Sequence, residues 1–340
     1  MNILILSCGT RNKIVQYFRK ICHEYGGKVY AADCSKYAPA LYEADEYFIS
    51  KRLGVDGHLE EITEYCRENK IRGILSLIDP ELSFLAEHVD DLRAVGTTVI
   101  GSAYDLCERS LDKYAMYQWL TENGYKTAKS WIDKDAFFAD VSNGGVTYPV
   151  FVKPANGSAS ISISIAYDKD TVDVLFAHED GLMIQEYMHG EEIGADVYID
   201  MISGEVVSIF IKKKIKMRAG ETDKSISFKD ERLFQIIQDF VLNAGYRGQI
   251  DIDIFDVDGE YYISEVNPRF GGGYPHAYEA GCNHMKMIAE NLLERVNKRT
   301  VGQYDEGIVM MKYNEIKMMG GYCRDKITAF FLTDTGWRAA

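Results

Sequence analysis

ISEVNPRFGGG, residues 263–273, is the stretch from which the rest of the chain can be read. Strand alternation puts Ile263, Glu265 and Asn267 on one face, so an apolar position is followed by a carboxylate and an amide. The run then stops at Pro268, adds a cation at Arg269 and ends in three glycines. Packing alone gives no reason for a strand to offer two oxygen ligands on one face just where it ends.

The stretch completes a longer pattern, QIDIDIFDVDGEYYISEVNP, which reads as a hairpin turning at Asp258-Gly259. Asp253 lies on its first strand with Asp251 on the same face, and the turn brings Asp253 roughly opposite Glu265. Two unpaired carboxylates about 4 Å apart repel by roughly 4 kcal/mol at an effective dielectric of 20. A hard cation removes that penalty, and Mg²⁺ is usually held by one or two carboxylates plus substrate phosphates. Asn267 would add a neutral third oxygen. The competing reading is a solvated face on an edge hairpin. Against it stand Ile252, Ile254, Ile263 and Val266, which ask for cover on at least one side, and Arg269 with its glycines, which point to an anion.

Cations for such an anion lie upstream. Lys153 ends the apolar strand PVFVK and precedes PANGSAS, a small-residue loop of the kind whose backbone N–H groups approach phosphates. It is not a P-loop, because the GxxxxGK[ST] spacing is absent. Lys113 sits in a helix start, SLDKY, capped by Ser110 or Asp112. In IKKKIKMR (211–218) alternation places Lys212, Lys214, Lys216 and Arg218 on one face. Four like charges there need water or an anion to meet them. That predicts either a solvated edge strand or a contact, through Arg218 foremost, with phosphate or an acidic substrate.

The chain around these motifs has 340 residues, enough for more than one domain. With 46% hydrophobic and 26% charged residues it has the balance of a soluble globular protein. A net charge of −14 argues against a nucleic-acid partner, though not against a locally basic nucleotide pocket. The seven cysteines are scattered, odd in number and without a CxxC pair, which predicts reduced thiols. No apolar run reaches the roughly 18 residues of a membrane helix, and the first residues lack a signal peptide's pattern. A cytoplasmic protein with no membrane partner is expected.

NILILS, KVYAAD and GILSLI alternate with helical stretches over the first hundred residues, which predicts a doubly wound parallel sheet. From residue 109 on, short strands, hairpins and intervening helices predict an α+β arrangement, including a hairpin turning at Ser203-Gly204. The loop SCGTRN (7–12) and Asp79-Pro80-Glu81 follow the ends of parallel strands, where ligands bind in such sheets. Arg11, Asp79 and Glu81 are therefore candidates for the acceptor-substrate side.

DK at 112–113, VKP at 152–154, GSAS at 157–160, QEYMHGEE at 185–192 and EVNPRF at 265–270 occur in this order. With these motifs the chain resembles the ATP-grasp superfamily, from about residue 2 to 300, and most nearly the short relatives of the carbamoyl-phosphate synthase large chain. The resemblance implies an ATP-grasp fold of α/β and α+β parts. Residues 1–108 would be a parallel-sheet pre-ATP-grasp domain, 109–184 the small lid subdomain and 185–305 the C-terminal subdomain with the metal site. Residues 306–340 would be an extension without an assigned role.

The resemblance also implies roles. Lys113 and Lys153 would contact the nucleotide phosphates, and the loop with Ser158 and Ser160 would be the flap over them, with Ser162 where relatives often have Gly. Gln185, Glu186 and Met188 would form the hinge at the adenine, and Glu192 would take the ribose hydroxyls. Asp253, Glu265 and Asn267 would hold Mg²⁺ (or Mn²⁺), and Arg269 would stabilise the transferring phosphoryl group. The twelve-residue gap to Glu265 favours Asp253 as the first-strand ligand, while the longer gap of some relatives would favour Asp251.

The implied activity is an ATP-dependent ligase that activates a carboxylate as an acyl phosphate for an amine or thiol. Its partners would be a small-molecule acid and amine, and a homodimer is compatible. Two alternatives are a nucleotide-binding module without turnover, and a dinucleotide-dependent oxidoreductase using Asp33 as its ribose acid. The latter lacks GxGxxG.

Overall fold

A computed structural model describes residues 1–157 and 163–318. Ser158, Ser160 and Ser162 lie outside the described residues, as does most of the C-terminal extension. The chain divides into two compact units, Met1–Met310 and Met311–Ala340. The first holds every element discussed below.

The N-terminal sheet contains β1 (Asn2–Leu6), β2 (Val29–Asp33), β3 (Glu46–Ile49), β4 (Ile71–Ser76) and β5 (Thr98–Val99), all parallel, in the order β3-β2-β1-β4-β5. Its central strands are apolar on both faces because helices cover both. Helix Asn12–Glu24 buries Ile14, Val15, Phe18 and Ile21 on one side. Ile62, Cys66, Leu85 and Leu92 pack with Leu4 and Leu6 on the other. The strand order reverses between β1 and β4, so the loops after them open a crevice there.

A second sheet has β6 (Ser130–Trp131), β7 (Val150–Pro154), β8 (Ser164–Ala166) and β9 (Leu182–Glu186) in the order β6-β9-β7-β8, all antiparallel. Its own core gathers Phe137, Val150, Val152, Val172 and Ile184. Asp133 and Asp168 cap its helices Lys134–Ser142 and Lys169–His178 through side-chain bonds to backbone N–H groups. Asp112, not Ser110, caps helix Lys113–Glu122, accepting from the N–H groups of Tyr114 and Ala115. Ser110 pairs instead with the Tyr246 hydroxyl at 2.8 Å.

The third sheet carries β10 (Glu191–Ile199), β11 (Val206–Arg218), β12 (Glu221–Phe228), β13 (Gly248–Val257) and β14 (Glu260–Asn267), in the order β14-β13-β10-β11-β12. Both expected hairpins are present. Asp258 and Gly259 both have positive φ (53° and 82°), the pattern of a type I′ turn that suits strand twist. In the other, Asp200 accepts from Ile202 N and Ser203 N ahead of Gly204.

The expectation of a solvated edge strand for the lysine run is overturned. β11 lies between β10 and β12, and its register with β12 slips between Lys214 and Met217. Lys212 is buried and the Lys214 side chain nearly so, while Lys216 and Arg218 are exposed. Among the described residues no helix is long and apolar enough to cross a membrane.

Candidate functional site

The ends of β13 and β14 meet the crevice of the parallel sheet at a cleft of about 260 Å³. Register settles which acid faces which: Asp253 pairs with Glu265 and Asp251 with Asn267. On the neighbouring strand Gly194 lies beside Asp253 and Asp196 beside Asp251. One face of the sheet therefore carries four carboxylates and an amide within three strands.

Cations from β11 cross over β10 to meet them. Lys214 Nζ stands 2.6 Å from Asp253 Oδ1 and 4.0 Å from Glu192 Oε2. Lys212 forms a fully buried ion pair with Asp196. Both lysines pass Gly194, where an added Cβ would come within 3.2 Å of Lys212 Cε and 3.4 Å of Lys214 Cε. A glycine inside a strand marks such a close approach.

Burial shapes the charges. Burial, then the Asp253 and Asp196 carboxylates, push Asp251 up to about 7. Burial and Asp253 likewise raise Glu265, opposed by Lys153 and Lys113. Burial lowers Lys153 to about 8 despite the pull of Glu265. Burial opposes the Lys214 ammonium, but Asp253 more than offsets it and raises its pKa. Lys214 is thus held as a fixed cation beside Asp253.

Arg269 leaves the end of β14 and makes a two-pronged ion pair with Asp79, at 3.0 and 3.1 Å, while Asp251 lies 3.9 Å away. Arg11 pairs with Glu221 at 3.0 Å across the same cleft. The three glycines after β14 have a steric reason. A Cβ on Gly271 would sit 2.3 Å from Asp251 Cγ, one on Gly272 2.5 Å from Glu221 Cδ, and one on Gly273 2.8 Å from Lys212 Cε.

The other sequence candidates divide. Lys153 donates to Gln185 Oε1 at 2.7 Å, and the Gln185 amide donates to Ser130 Oγ at 3.0 Å. Lys113 donates through Nζ to the Gly157 carbonyl and through its backbone to the Ala155 carbonyl at 2.9 Å, so it borders the small-residue loop. Glu186 accepts from Lys129 N at 3.2 Å, and half-buried Met188 follows Tyr187, which stacks on Phe151. Glu192 lines the cleft. Glu81 turns away from it: it accepts from the Ser76 hydroxyl at 2.6 Å and lies 3.5 Å from His58 Nε2 inside the N-terminal domain. Arg218 is exposed and does not line the cleft.

Sequence reasoning passed over Asp196 and Glu221 and gave Lys214 only a place in a row. Gly194, between apolar strand residues, was the available signal for crossing side chains.

Among the described residues no three Asp, Glu, His or Cys side chains converge tightly enough to hold an ion alone. The donors present, Asp253, Glu265 and Asn267, fit a hard cation whose remaining ligands are substrate oxygens. Asp33 binds Gly9 N at 2.9 Å with one oxygen and Ser35 N at 2.8 Å with the other, which ties it to its own loop and leaves a ribose reading without support.

Comparison with known proteins bears on the same regions. Residues 3–100 match the PylC-like N-terminal domain family and residues 110–273 the ATP-grasp domain family. The D-alanine–D-alanine ligase of Oceanobacillus iheyensis is 26% identical over 231 residues, covering 60% of this chain and 62% of that protein. The arginine-specific carbamoyl phosphate synthase large chain of Geobacillus stearothermophilus is 23% identical over 243 residues, 67% of this chain and 23% of that one. The chain thus spans about three-fifths of the length of the first ligase.

Among solved structures, the biotin carboxylase domain of Hydrogenobacter thermophilus 2-oxoglutarate carboxylase, in complex with MgADP, ADP and bicarbonate, superposes with a TM-score of 0.70. The match is 18% identical and covers 90% of this chain and 73% of that one. The L-amino acid ligase of Bacillus licheniformis gives 0.65 at 19% identity, over 87% and 75%. At such identities the likeness is one of fold.

Proposed function

We propose that this chain, an ATP-grasp protein with a PylC-like N-terminal domain, is an ATP-dependent ligase. It would transfer the γ-phosphoryl of ATP to a carboxylate, and an amine or thiol would displace phosphate from the acyl phosphate, releasing ADP and phosphate. The observation that carries this reading is the cleft itself. Asp253 and Glu265 face each other on paired strands, with Asn267 beside them and Arg269 held over the same space.

Carboxylates are poor electrophiles, and phosphorylation supplies the missing leaving group. The protein's task is then positioning and charge neutralisation. Lys153 and Lys113 would meet the phosphates, Gln185, Glu186 and Met188 the adenine, and Glu192 the ribose. Asp253, Glu265 and Asn267 would hold Mg²⁺ or Mn²⁺, which when bound neutralises and aligns the phosphate oxygens. The domain limits expected at 108, 184 and 305 belong to this reading.

Two of the named proteins, the D-alanine–D-alanine ligase and the L-amino acid ligase, are by name ligases of amino acids, which supports small-molecule acid and amine substrates. Amino acids suit a crevice where Arg11 and Glu221 offer both signs of charge. The six described cysteines are free and five are buried, which supports a reducing, cytoplasmic setting.

The experiment is a matrix of acids and amines with Mg-ATP, read by ADP release and product mass. Glu265→Ala should abolish turnover of the active pair; full activity in that variant would remove the metal assignment. ATP binding without ADP release for any pair would leave a nucleotide-binding module.

A further inference from the structure

Arg269 is held from the far side of the cleft. Asp79 opens helix Asp79–Glu87 behind β4, in the parallel-sheet domain, and meets Arg269 across 190 positions of sequence. Nε lies 3.0 Å from Oδ1, and Nη2 donates to Oδ2 at 3.1 Å. One charge-assisted hydrogen bond, through Nη2, and a second ion-pair contact, at Nε, restrain the guanidinium more than either would alone. The two side chains are only 13% and 8% exposed.

The backbone is clamped too. Arg269 N donates to Asn267 O at 2.8 Å, and the next residue, Phe270, packs edge-on against Phe18 of the N-terminal domain. Burial opposes the charge on Arg269, but Asp79 and Asp251 more than offset it and raise its pKa.

We propose that Asp79 is a positioning residue: its carboxylate, delivered by the parallel-sheet domain, orients the Arg269 guanidinium for phosphoryl transfer. The role given to Arg269 rests on the ligase reading, whereas the pairing does not. The parallel-sheet domain then contributes to the phosphoryl end of the cleft as well as to the substrate crevice. Asp79 Oδ2 accepts from Arg269, while the buried Oδ1 touches the guanidinium only as an ion-pair contact, so the substrate-amine role is left to the kinetic test.

Asp79→Asn keeps the shape and removes the charge. A displacement near 1 Å costs on the order of 10²-fold in rate, so kcat should fall about 10²-fold. KM for ATP and for both substrates should move by less than about threefold, the split expected of a contact that acts in the transition state. Asp79→Glu should recover about tenfold of that loss by restoring the charge. In an Arg269→Lys background, Asp79→Asn should cost less than about threefold further, because the guanidinium it orients is gone.

A rise in the amine KM at unchanged kcat would make Asp79 a substrate-binding acid and overturn the proposal. Full additivity with Arg269→Lys would do the same. Melting midpoints of Asp79→Ala, Arg269→Ala and the double variant read the pair without turnover. The double variant should melt no lower than the worse single one, and an additive drop would overturn the pairing. If the wild-type protein turned over no acid–amine pair, the ligase reading alone would fail and the melting cycle would still decide the pair.

Discussion

Replacing Lys214 by Met tests the electrostatics of the cleft most sharply. Met keeps most of the buried stem and removes the ammonium that stands 2.6 Å from Asp253. At an effective dielectric of 20, unit charges at that distance attract by about 6 kcal/mol, before the cost of taking them out of water. Breaking a buried pair by removing one partner costs roughly 3–5 kcal/mol, because the other charge stays behind. Lys214 is 5% exposed but Asp253 is 30% exposed, which places the loss at the lower end, about 3 kcal/mol.

In a chain of 340 residues that is a fall of about 4 °C in Tm. Asp253 would then face Glu265 and Asp251 without its fixed cation, so a divalent ion should recover much of the loss. At a free concentration a hundred times its dissociation constant, such an ion restores about 2.7 kcal/mol. Scanning calorimetry with and without Mg²⁺ measures both quantities. A variant that melts like the wild type, or whose Tm ignores Mg²⁺ no less than the wild type does, would refute the reasoning.

Gly271→Ala forces a methyl group to within 2.3 Å of Asp251 Cγ. Overpacking there should cost about 1–3 kcal/mol by chemical denaturation, whereas Gly101→Ala, with nothing within 4 Å, should be close to neutral. Lys153, lowered to about 8 by burial, is partly neutral in the free protein at alkaline pH. Phosphate favours its charged form, so Mg-ADP binding at about pH 8.5 should take up protons, seen as a buffer-dependent binding enthalpy. Lys153→Arg should abolish that uptake, and affinity should decline as pH rises above about 8.

The hairpin of β13 and β14 was legible because three local signals agreed: period-two alternation, an Asp-Gly turn and an apolar second face. The parallel sheet was legible for the same kind of reason, since its strands are short apolar runs closed by turns. What could not be read locally was which charges would meet. Gly271 and Gly272 are glycines because of Asp251 and Glu221, residues brought to them only by the folded sheet. Alternation placed Lys212 through Arg218 on one face, yet it could not show that β10 and a glycine would open a path for two of them and bury their ammonium groups. Asp79 and Glu81 lie two residues apart at the start of one helix. One turns to Arg269 and the other to Ser76, a difference set by packing rather than by pattern.

The central claim is that a carboxylate is activated as an acyl phosphate. The direct measurement uses the active acid labelled with ¹⁸O in its carboxylate, with Mg-ATP and the amine, followed by mass analysis of the released phosphate. Attack of a carboxylate oxygen on the γ-phosphorus, then displacement by the amine, carries one labelled oxygen into phosphate, with ADP as the other product. Unlabelled phosphate, or label in AMP with release of pyrophosphate, would contradict it.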